Sequence, residues 1–220
     1  GAGNDIIEAP TFASVDAGSG DDTVQMSAGG SQVPTLLDGG EGYDKLQFGW
    51  YGWSGCTINW ANVYGFEEIY FSGDNGGGLN TVFTDNVGRA GETLKITTSR
   101  NGHGLRLDFS AETDANLEIT GIDTYNPDDV LVGGALADII KSLGGNDVVR
   151  GNGGNDDIDL GSGDDIATGG QGDDVIDGGL GTDIAVYSGN RNQYTLSYNT
   201  DGLQQVIKVS GFDGNDSLKN

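Results

Sequence analysis

Residues 169–186 read GGQGDDVIDGGLGTDIAV, which is one nine-residue pattern written twice. The pattern runs without an insertion from 124 to 186, where it fills seven consecutive units. The sixth position is aspartate in every unit: Asp129, Asp138, Asp147, Asp156, Asp165, Asp174 and Asp183. The eighth position is always apolar, and the fourth is glycine except at Pro127 and Leu136. A short repeat of constant length predicts a solenoid, in which each coil packs on its neighbours.

The chemistry of one unit predicts a turn, a strand and a cation site. Glycine gives the turn positive φ angles and allows backbone carbonyls to face one point. Aspartate adds a hard anionic oxygen, and Ca²⁺ binds about six to eight oxygens. Two units make one coil, so turns two units apart stack about 4.8 Å from one another, with room for a cation between them. Plain solvated Gly-Asp turns are the alternative.

The units resemble the G-G-x-G-x-D-x-U-x nonapeptide of the RTX (repeats-in-toxin) family, also known as haemolysin-type calcium-binding repeats. The resemblance implies an all-β fold, a right-handed parallel β-roll or β-solenoid with Ca²⁺ between stacked Gly-Asp turns. It also implies that each internal aspartate bridges two ions. One column of ligands contains Asp129, Asp147, Asp165 and Asp183, and the other contains Asp138, Asp156 and Asp174.

Turn glycines would complete these sites through their backbone carbonyls. The glycines implied are Gly145, Gly151, Gly153, Gly154, Gly161, Gly163, Gly169, Gly170, Gly172, Gly178, Gly179 and Gly181. Adjacent aspartates in the two columns give five sites. We expect the first site of each column to be weak or empty, because units 124–132 and 133–141 lack the glycine at position four.

The segment 1–47 carries the same motif once per coil. Asp5, Asp22 and Asp44 each close a Gly-rich turn, at intervals of 17 and 22 residues. The opposite turns lack the motif, so we expect a one-sided calcium column with up to two sites. The carbonyl ligands would come from Gly18, Gly20, Gly40 and Gly42. Hairpin turns rich in Gly and Asp are the alternative.

Aromatic residues concentrate around segment 48–61, which contains all three tryptophans: Trp50, Trp53 and Trp60. One interpretation is an insertion that folds over the solenoid as a satellite core, since three indoles in a segment of little charge would be costly to leave in water. The second is a carbohydrate platform, with indole faces stacked on an extracellular polysaccharide or a cell-surface glycan. The third is a protein-docking patch.

Strand-like runs without the motif fill 62–123 and predict metal-free coils of the same solenoid. Apolar residues recur there every 23–25 residues. We expect Ile69, Leu94 and Leu117 to align on one side, and Val82, Leu107 and Leu131 on the other.

Residues 187–220 predict a cap for the solenoid end. Two apolar runs, 194–198 and 206–209, flank Asn199-Thr200-Asp201-Gly202, a strong signal for an antiparallel β-hairpin. Residues 212–218 resemble the start of a further repeat segment. We expect the chain to be a fragment of a larger protein, and its parts to form one continuous solenoid.

Net charge, apolar runs and cysteine content narrow the range of functions. Lys and Arg number 10 against 34 Asp and Glu, a net charge of −24, which disfavours binding to nucleic acid and to anionic lipid. No apolar run approaches about 18 residues, so no transmembrane segment is predicted. Cys56 is the only cysteine, which excludes an internal disulfide.

No catalytic residue is predicted, and we do not expect this chain to be an enzyme. His103, the only histidine, has no nucleophile or metal-ligand motif beside it, and the H-E-x-x-H and G-x-S-x-G motifs are missing. We instead expect a calcium-dependent structural module of a secreted or surface-attached bacterial protein, holding about five to seven Ca²⁺ ions. The family resemblance implies export through a type I channel and folding outside the cell. A glycan-binding adhesion module and the non-catalytic C-terminal part of a secreted enzyme or toxin are the alternatives, and the oligomeric state is open.

Overall fold

Strands make up most of the secondary structure of this protein. The computed structural model describes residues 1–9, 14–26, 35–49, 58–72, 79–99, 103–122, 125–188, 191–201, 204–211 and 213–219. Two short 3-10 helices, η1 (Trp60–Asn62) and η2 (Arg191–Gln193), are the helical segments of these residues. Neither has the length or the apolar character needed to cross a membrane.

The strands are numbered along the chain. They are β1 (Ile6–Ala9), β2 (Ser14–Asp16), β3 (Thr23–Met26), β4 (Leu36–Asp38), β5 (Lys45–Phe48), β6 (Val63–Tyr64), β7 (Glu68–Phe71), β8 (Leu79–Val82), β9 (Thr93–Thr98), β10 (Leu105–Asp108), β11 (Asn116–Ile122), β12 (Val130–Val132), β13 (Ile139–Leu143), β14 (Val148–Gly153), β15 (Asp157–Asp159), β16 (Ile166–Gln171), β17 (Val175–Asp177), β18 (Ile184–Ala185), β19 (Thr195–Asp201), β20 (Gln204–Ser210) and β21 (Asn215–Lys219).

The strands stack into a parallel β-solenoid, as the repeat predicts. The odd-numbered strands β1 to β17 lie side by side in one long sheet, which β21, β20 and β19 extend. The even-numbered strands from β2 to β18 form two sheets, β2-β4-β6 and β8-β10-β12-β14-β16-β18. One odd-numbered strand and the even-numbered strand after it make one coil. Within the nonapeptide block the register advances by 18 residues, as in the pairing of Ile140 with Ile158 and of Ile158 with Ile176.

The nonapeptide coils enclose a narrow aliphatic core. Strand side chains alternate between the two faces of a sheet, so the eighth residue of each unit points inward while its neighbours face outward. Ile140, Ile158 and Ile176 from the long sheet and Leu131 and Val149 from the facing sheet are at most 4% exposed.

The middle coils are filled by aromatic rings. Trp60 is 2% exposed and packs edge-on against Phe48 and Phe71, with ring centroids 5.9 and 6.5 Å away. Phe83 continues the cluster, with its centroid 4.2 Å from Trp60, and the Trp60 indole N–H donates to Thr81 Oγ1 at 2.6 Å. Trp60 and Phe48 therefore belong to the core of the solenoid itself. Trp50 and Trp53 lie outside the described residues.

Two of the expected alignments in the middle coils are confirmed, and two differ. Leu94 pairs with Leu117 and Leu107 with Leu131, but Ile69 pairs with Ile96. Val82 is 61% exposed, and Thr81 occupies the place opposite Leu107. Thr81 rather than Val82 points inward because its hydroxyl accepts the Trp60 indole N–H. Phe83, two residues further on, points to the same side and is buried.

The predicted hairpin is present, with a later turn. β19 and β20 pair antiparallel from Thr195↔Ser210 to Asp201↔Gln204, so the strands continue past Asn199. β21 then lies antiparallel to β20 and parallel to β17, with Leu218 opposite Ile176. The chain thus leaves the solenoid for one hairpin and returns to add a further strand to the long sheet.

The buried position of Trp60 generates a stability prediction. Trp60→Ala should lower the free energy of unfolding by about 3–5 kcal/mol, because it leaves a cavity among packed rings. Urea denaturation in saturating calcium measures the difference. Val82→Ala, on the exposed face of the neighbouring coil, is the control and should cost less than about 1 kcal/mol. Similar losses in both variants would contradict the placement of Trp60 in the core.

Candidate metal centre

Acidic side chains line both edges of the solenoid where the chain turns from one sheet to the other. We call the turns that lead into β1, β3 and the other strands of the long sheet the first edge, and those that lead into β10, β12, β14, β16 and β18 the second edge. Asp138, Asp156 and Asp174 stack along the first edge, and Asp129, Asp147, Asp165 and Asp183 stack along the second. The two columns predicted from the repeat are therefore brought together by the fold.

Each aspartate is held by the backbone of the coil before it. The N–H of Asp138 donates to Asp156 Oδ1 at 2.9 Å, and the N–H of Asp156 donates to Asp174 Oδ1 at 2.9 Å. The second edge repeats the bond, from the N–H of Asp147 to Asp165 Oδ1 at 2.7 Å and from that of Asp165 to Asp183 Oδ1 at 3.1 Å. One oxygen of each carboxylate is thereby positioned by a neighbouring coil 18 residues away.

The second carboxylate oxygen of most repeat aspartates, Oδ2, takes no part in these hydrogen bonds. Oδ2 is buried and has no hydrogen-bond partner among the described residues in five repeat aspartates: Asp147, Asp156, Asp165, Asp174 and Asp183. A buried anionic oxygen without a partner is strongly unfavourable, so such groups are normally paired or bind a metal. These five oxygens fit a hard cation, which is what the donor set of the repeat implies.

The first aspartate of each column is different. Asp129 Oδ2 accepts the N–H of Ile122 at 3.0 Å, and Asp138 Oδ2 accepts the N–H of Gly134 at 2.8 Å. Both carboxylates thus have their second oxygen satisfied by the backbone. This geometry agrees with the expectation that the turns without a glycine at position four form weaker sites.

Most of the predicted turn glycines adopt backbone conformations that residues with a side chain rarely adopt. Positive φ angles occur at twelve of the predicted glycines: Gly18, Gly20, Gly40, Gly42, Gly145, Gly154, Gly161, Gly163, Gly170, Gly172, Gly179 and Gly181. Gly153 lies in β14, and Gly151, Gly169 and Gly178 begin their units beside the aspartate carboxylates. Asn152 and Leu143 adopt positive φ angles of 78° and 77° at the second position of their units, where a side chain is strained.

Carbonyl oxygens converge on the same points as the carboxylates. A Cβ added to Gly133 would lie 2.5 Å from Asp138 Oδ2 and 2.7 Å from the carbonyl oxygen of Gly151 in the next coil. A Cβ on Gly151 would meet Asp156 Oδ2 and lie 2.6 Å from the carbonyl oxygen of Gly169. Glycine at the first position therefore leaves a space lined by oxygens of two coils, which a side chain would fill.

The N-terminal column is longer than predicted. The N–H of Asp5 donates to Asp22 Oδ1 at 2.7 Å and that of Asp22 donates to Asp44 Oδ1 at 2.8 Å, as the motif suggests. The N–H of Asp44 then donates to Glu67 Oε2 at 2.6 Å, which extends the ladder by one coil. Glu67 follows Asp44 by 23 residues, about the length of one coil, and this interval is the one feature of the sequence that could have predicted its place in the column.

A cationic side chain ends this column. Arg89 Nε lies 3.1 Å from Glu67 Oε1, and Arg89 Nη2 lies 3.6 Å from Asp44 Oδ2. Nη2 also donates to the carbonyl of Gly65 at 3.3 Å. The guanidinium thus lies among the oxygens of the Asp44 and Glu67 turns. No sequence pattern connects Arg89 with these residues, because the contact depends on how the coils stack.

Asp216 is a further column member that the sequence reasoning missed. The N–H of Asp174 donates to Asp216 Oδ1 at 3.0 Å, and the N–H of Gly172 donates to the carbonyl of Asp213 at 2.6 Å. Residues 211–219, GFDGNDSLK, match the nonapeptide at positions one, four, six and eight. The motif is therefore present in the sequence, but residues 187–210 with their hairpin separate it from the seven consecutive units.

Burial sets the electrostatics of both columns. Desolvation raises the pKa of Asp129 and Asp156 to about 7. It raises the pKa of Asp138, Asp147 and Asp216 to about 6. Backbone N–H donors oppose the rise at each of these five aspartates. In the absence of a cation these carboxylates therefore bind protons more tightly than exposed aspartates do.

The predicted glycan-binding tryptophans and the single histidine are not part of the aspartate columns. Trp60 is enclosed by rings and does not present a face to a saccharide, while Trp50 and Trp53 lie outside the described residues. His103 is exposed and lies two residues before β10.

A family comparison agrees with the geometry. Residues 132–167 and 151–185 match the family described as RTX calcium-binding nonapeptide repeat (4 copies). The resemblance noted from the sequence is thus confirmed, and the chain contains a block of RTX repeats. A β-solenoid of such repeats is a calcium-binding structural module rather than a catalytic one. No curated protein matches the chain.

The position of an aspartate within its column predicts the effect of losing its carboxylate. Asp156→Asn keeps the acceptor for the Asp138 N–H but removes the buried charge, and should raise the calcium midpoint of folding by about tenfold. Asp183→Asn should raise it less, since β18 is the last strand of its sheet among the described residues. Circular dichroism during calcium titration measures both.

Asp157→Asn is the matched control for these variants. Asp157 is the next residue, on the exposed face of β15, so its substitution removes the same charge without touching the column. Its midpoint should stay near that of the unchanged protein. Equal shifts for the Asp156 and Asp157 variants would show that net charge, rather than the column, controls folding.

The raised pKa values predict that acid partly replaces calcium. Unfolded aspartates titrate near pH 4, so between about pH 4 and pH 7 the ion-free fold binds more protons than the unfolded chain. Stability of the ion-free fold should therefore fall as pH rises from 5 to 7.5, measured as loss of β-signal in metal-free buffer. Asp156→Asn, which cannot titrate, should reduce this difference. A β-signal that does not change over this range would contradict the buried state of the columns.

Proposed function

We propose that this chain is a calcium-dependent folding module of a secreted or surface-attached bacterial RTX protein, which folds after export. The observation that carries the proposal is the set of five buried aspartate oxygens without a partner among the described residues, one in each nonapeptide unit from the third to the seventh. RTX repeats occur in secreted bacterial proteins, which agrees with an extracellular site of action.

The residues themselves explain why a cation would control folding. Folding places Asp156 and Asp174 in consecutive coils, where their charges raise each other's energy in addition to the cost of burial. At a net charge of −24 the unfolded chain is expanded by repulsion, which suits passage through a channel. Bound calcium would supply the positive charge that offsets this repulsion and would join the oxygens of neighbouring coils. Asp147, Asp156, Asp165, Asp174 and Asp183 would hold it, with turn carbonyls such as that of Gly169.

The described residues favour no second function. The adhesion alternative depended on three indoles, and Trp60 is a core residue. A role as the non-catalytic part of a secreted enzyme or toxin is compatible with the same module and describes the parent protein rather than this chain.

The test is folding against calcium concentration. In chelator at pH 7.5 the far-ultraviolet circular dichroism should be that of a mostly disordered chain. The β-signal should return on calcium addition, with a midpoint in the range of about 10⁻⁴–10⁻³ M that extracellular calcium modules show. Magnesium is the control and should not substitute, because it requires a tighter octahedral geometry and retains its waters. A chelated protein that keeps full β-signal and melts cooperatively would sink the proposal.

A further inference from the structure

A separate group of carboxylates lies outside the nonapeptide repeats, in the middle coils. Asp85 belongs to the turn between β8 and β9, and Glu112 and Asp114 belong to the turn between β10 and β11, one coil further along the first edge. One oxygen from each of the three side chains lies within 4.8 Å of the others. The N–H of Gly91 donates to the carbonyl of Asp114 at 2.7 Å, which confirms that the two turns are stacked.

Glu112 is the unusual member of this group. Its side chain is fully buried, with 0% exposure. Oε1 accepts the backbone N–H groups of Asp114 at 3.3 Å and Ala115 at 3.1 Å, whereas Oε2 has no hydrogen-bond partner among the described residues. Oε2 faces the turn that carries Asp85, since a Cβ added to Gly88 would lie 3.3 Å from it. A buried oxygen is thus left open on the side of the neighbouring coil, as in the aspartate columns.

Among the residues that the structure describes, no cationic side chain pairs with this group. The ion pairs found in the described part of the chain involve Lys45, Arg89 and Lys95, and none of them reaches Asp85, Glu112 or Asp114. Burial first, and then the charges of Asp85 and Asp114, raise the pKa of Glu112 above its usual value. Asp85 stays fixed in this acidic surrounding because its Oδ1 accepts both the N–H and the hydroxyl of Thr113 at 2.7 Å.

We propose that Asp85, Glu112 and Asp114 bind one calcium ion at a site that the nonapeptide motif does not encode. The donor set suits calcium, because Ca²⁺ takes carboxylate oxygens in a flexible geometry, whereas Mg²⁺ requires a near-ideal octahedron and keeps several of its waters. Two of the three carboxylates are exposed, so the ion has access from solvent, while Glu112 supplies the buried charge. The site joins two consecutive coils between the N-terminal column and the nonapeptide block.

Counting bound ions tests the proposal. Equilibrium dialysis of the full chain with ⁴⁵Ca²⁺ at saturating concentration should give one ion fewer per chain for Glu112→Gln and for Asp85→Asn than for the unchanged protein. Asp157→Asn, an exposed residue outside the group, is the matched control and should keep the full number. Asp85→Asn keeps an acceptor for Thr113, so it remains informative if the buried Glu112 variant does not fold.

A direct image separates this site from the repeat sites. In crystals grown with calcium, an anomalous difference peak should lie between the three carboxylates and disappear in Asp85→Asn, while peaks in the nonapeptide turns persist. Occupied nonapeptide turns with no peak here, or an unchanged ion count in both variants, would overturn the proposal. Empty nonapeptide turns would instead argue against the calcium-dependent folding function, whatever is found at Glu112.

Discussion

The hydrogen bond from the backbone N–H of one aspartate to the carboxylate of the aspartate in the next coil is the contact on which the solenoid depends. It joins Asp138 to Asp156 and Asp156 to Asp174 at 2.9 Å, and it recurs on the opposite edge. The bond fixes the spacing of the turns and leaves one oxygen of each carboxylate free in a buried position. The same interaction that orders the coils therefore creates a line of buried negative charge, which the protein alone does not neutralise.

Different parts of the columns neutralise this charge in different ways. At the start of each nonapeptide column, backbone N–H groups occupy the second oxygen of Asp129 and Asp138. In the N-terminal column the guanidinium of Arg89 lies beside Glu67 and Asp44, where it supplies a permanent positive charge. The aspartates from Asp147 to Asp183 have neither, and Asp22 in the N-terminal column also keeps a buried Oδ2 without a partner among the described residues, so an external cation is expected at these turns. The core follows the same division, since the coils near Arg89 bury aromatic rings whereas the repeat coils bury single aliphatic side chains.

Much of the site could be predicted from the regular repeat. Because every unit has the same length, position six of one turn must stack on position six of the turn 18 residues later, and the two columns followed directly. Prediction failed where that regularity ends. Asp216 matches the motif but follows a hairpin, Glu67 replaces aspartate, and Val82 was placed inward because a strand pattern does not show which of two neighbouring residues meets a ring.

The all-β solenoid, the composition of its turns and the positions of the repeat aspartates could be predicted from the amino-acid sequence, because they depend on local spacing and on the conformations that glycine permits. The folded chain was needed to show which oxygens remain unpaired, that Arg89 lies beside Asp44 and Glu67, and that Asp85 and Glu112 meet across two coils. This difference arises because burial and charge pairing depend on distances between residues far apart in the chain. The middle coils have no repeat of constant length, so the spacing of two residues along the sequence does not predict whether they meet in the fold.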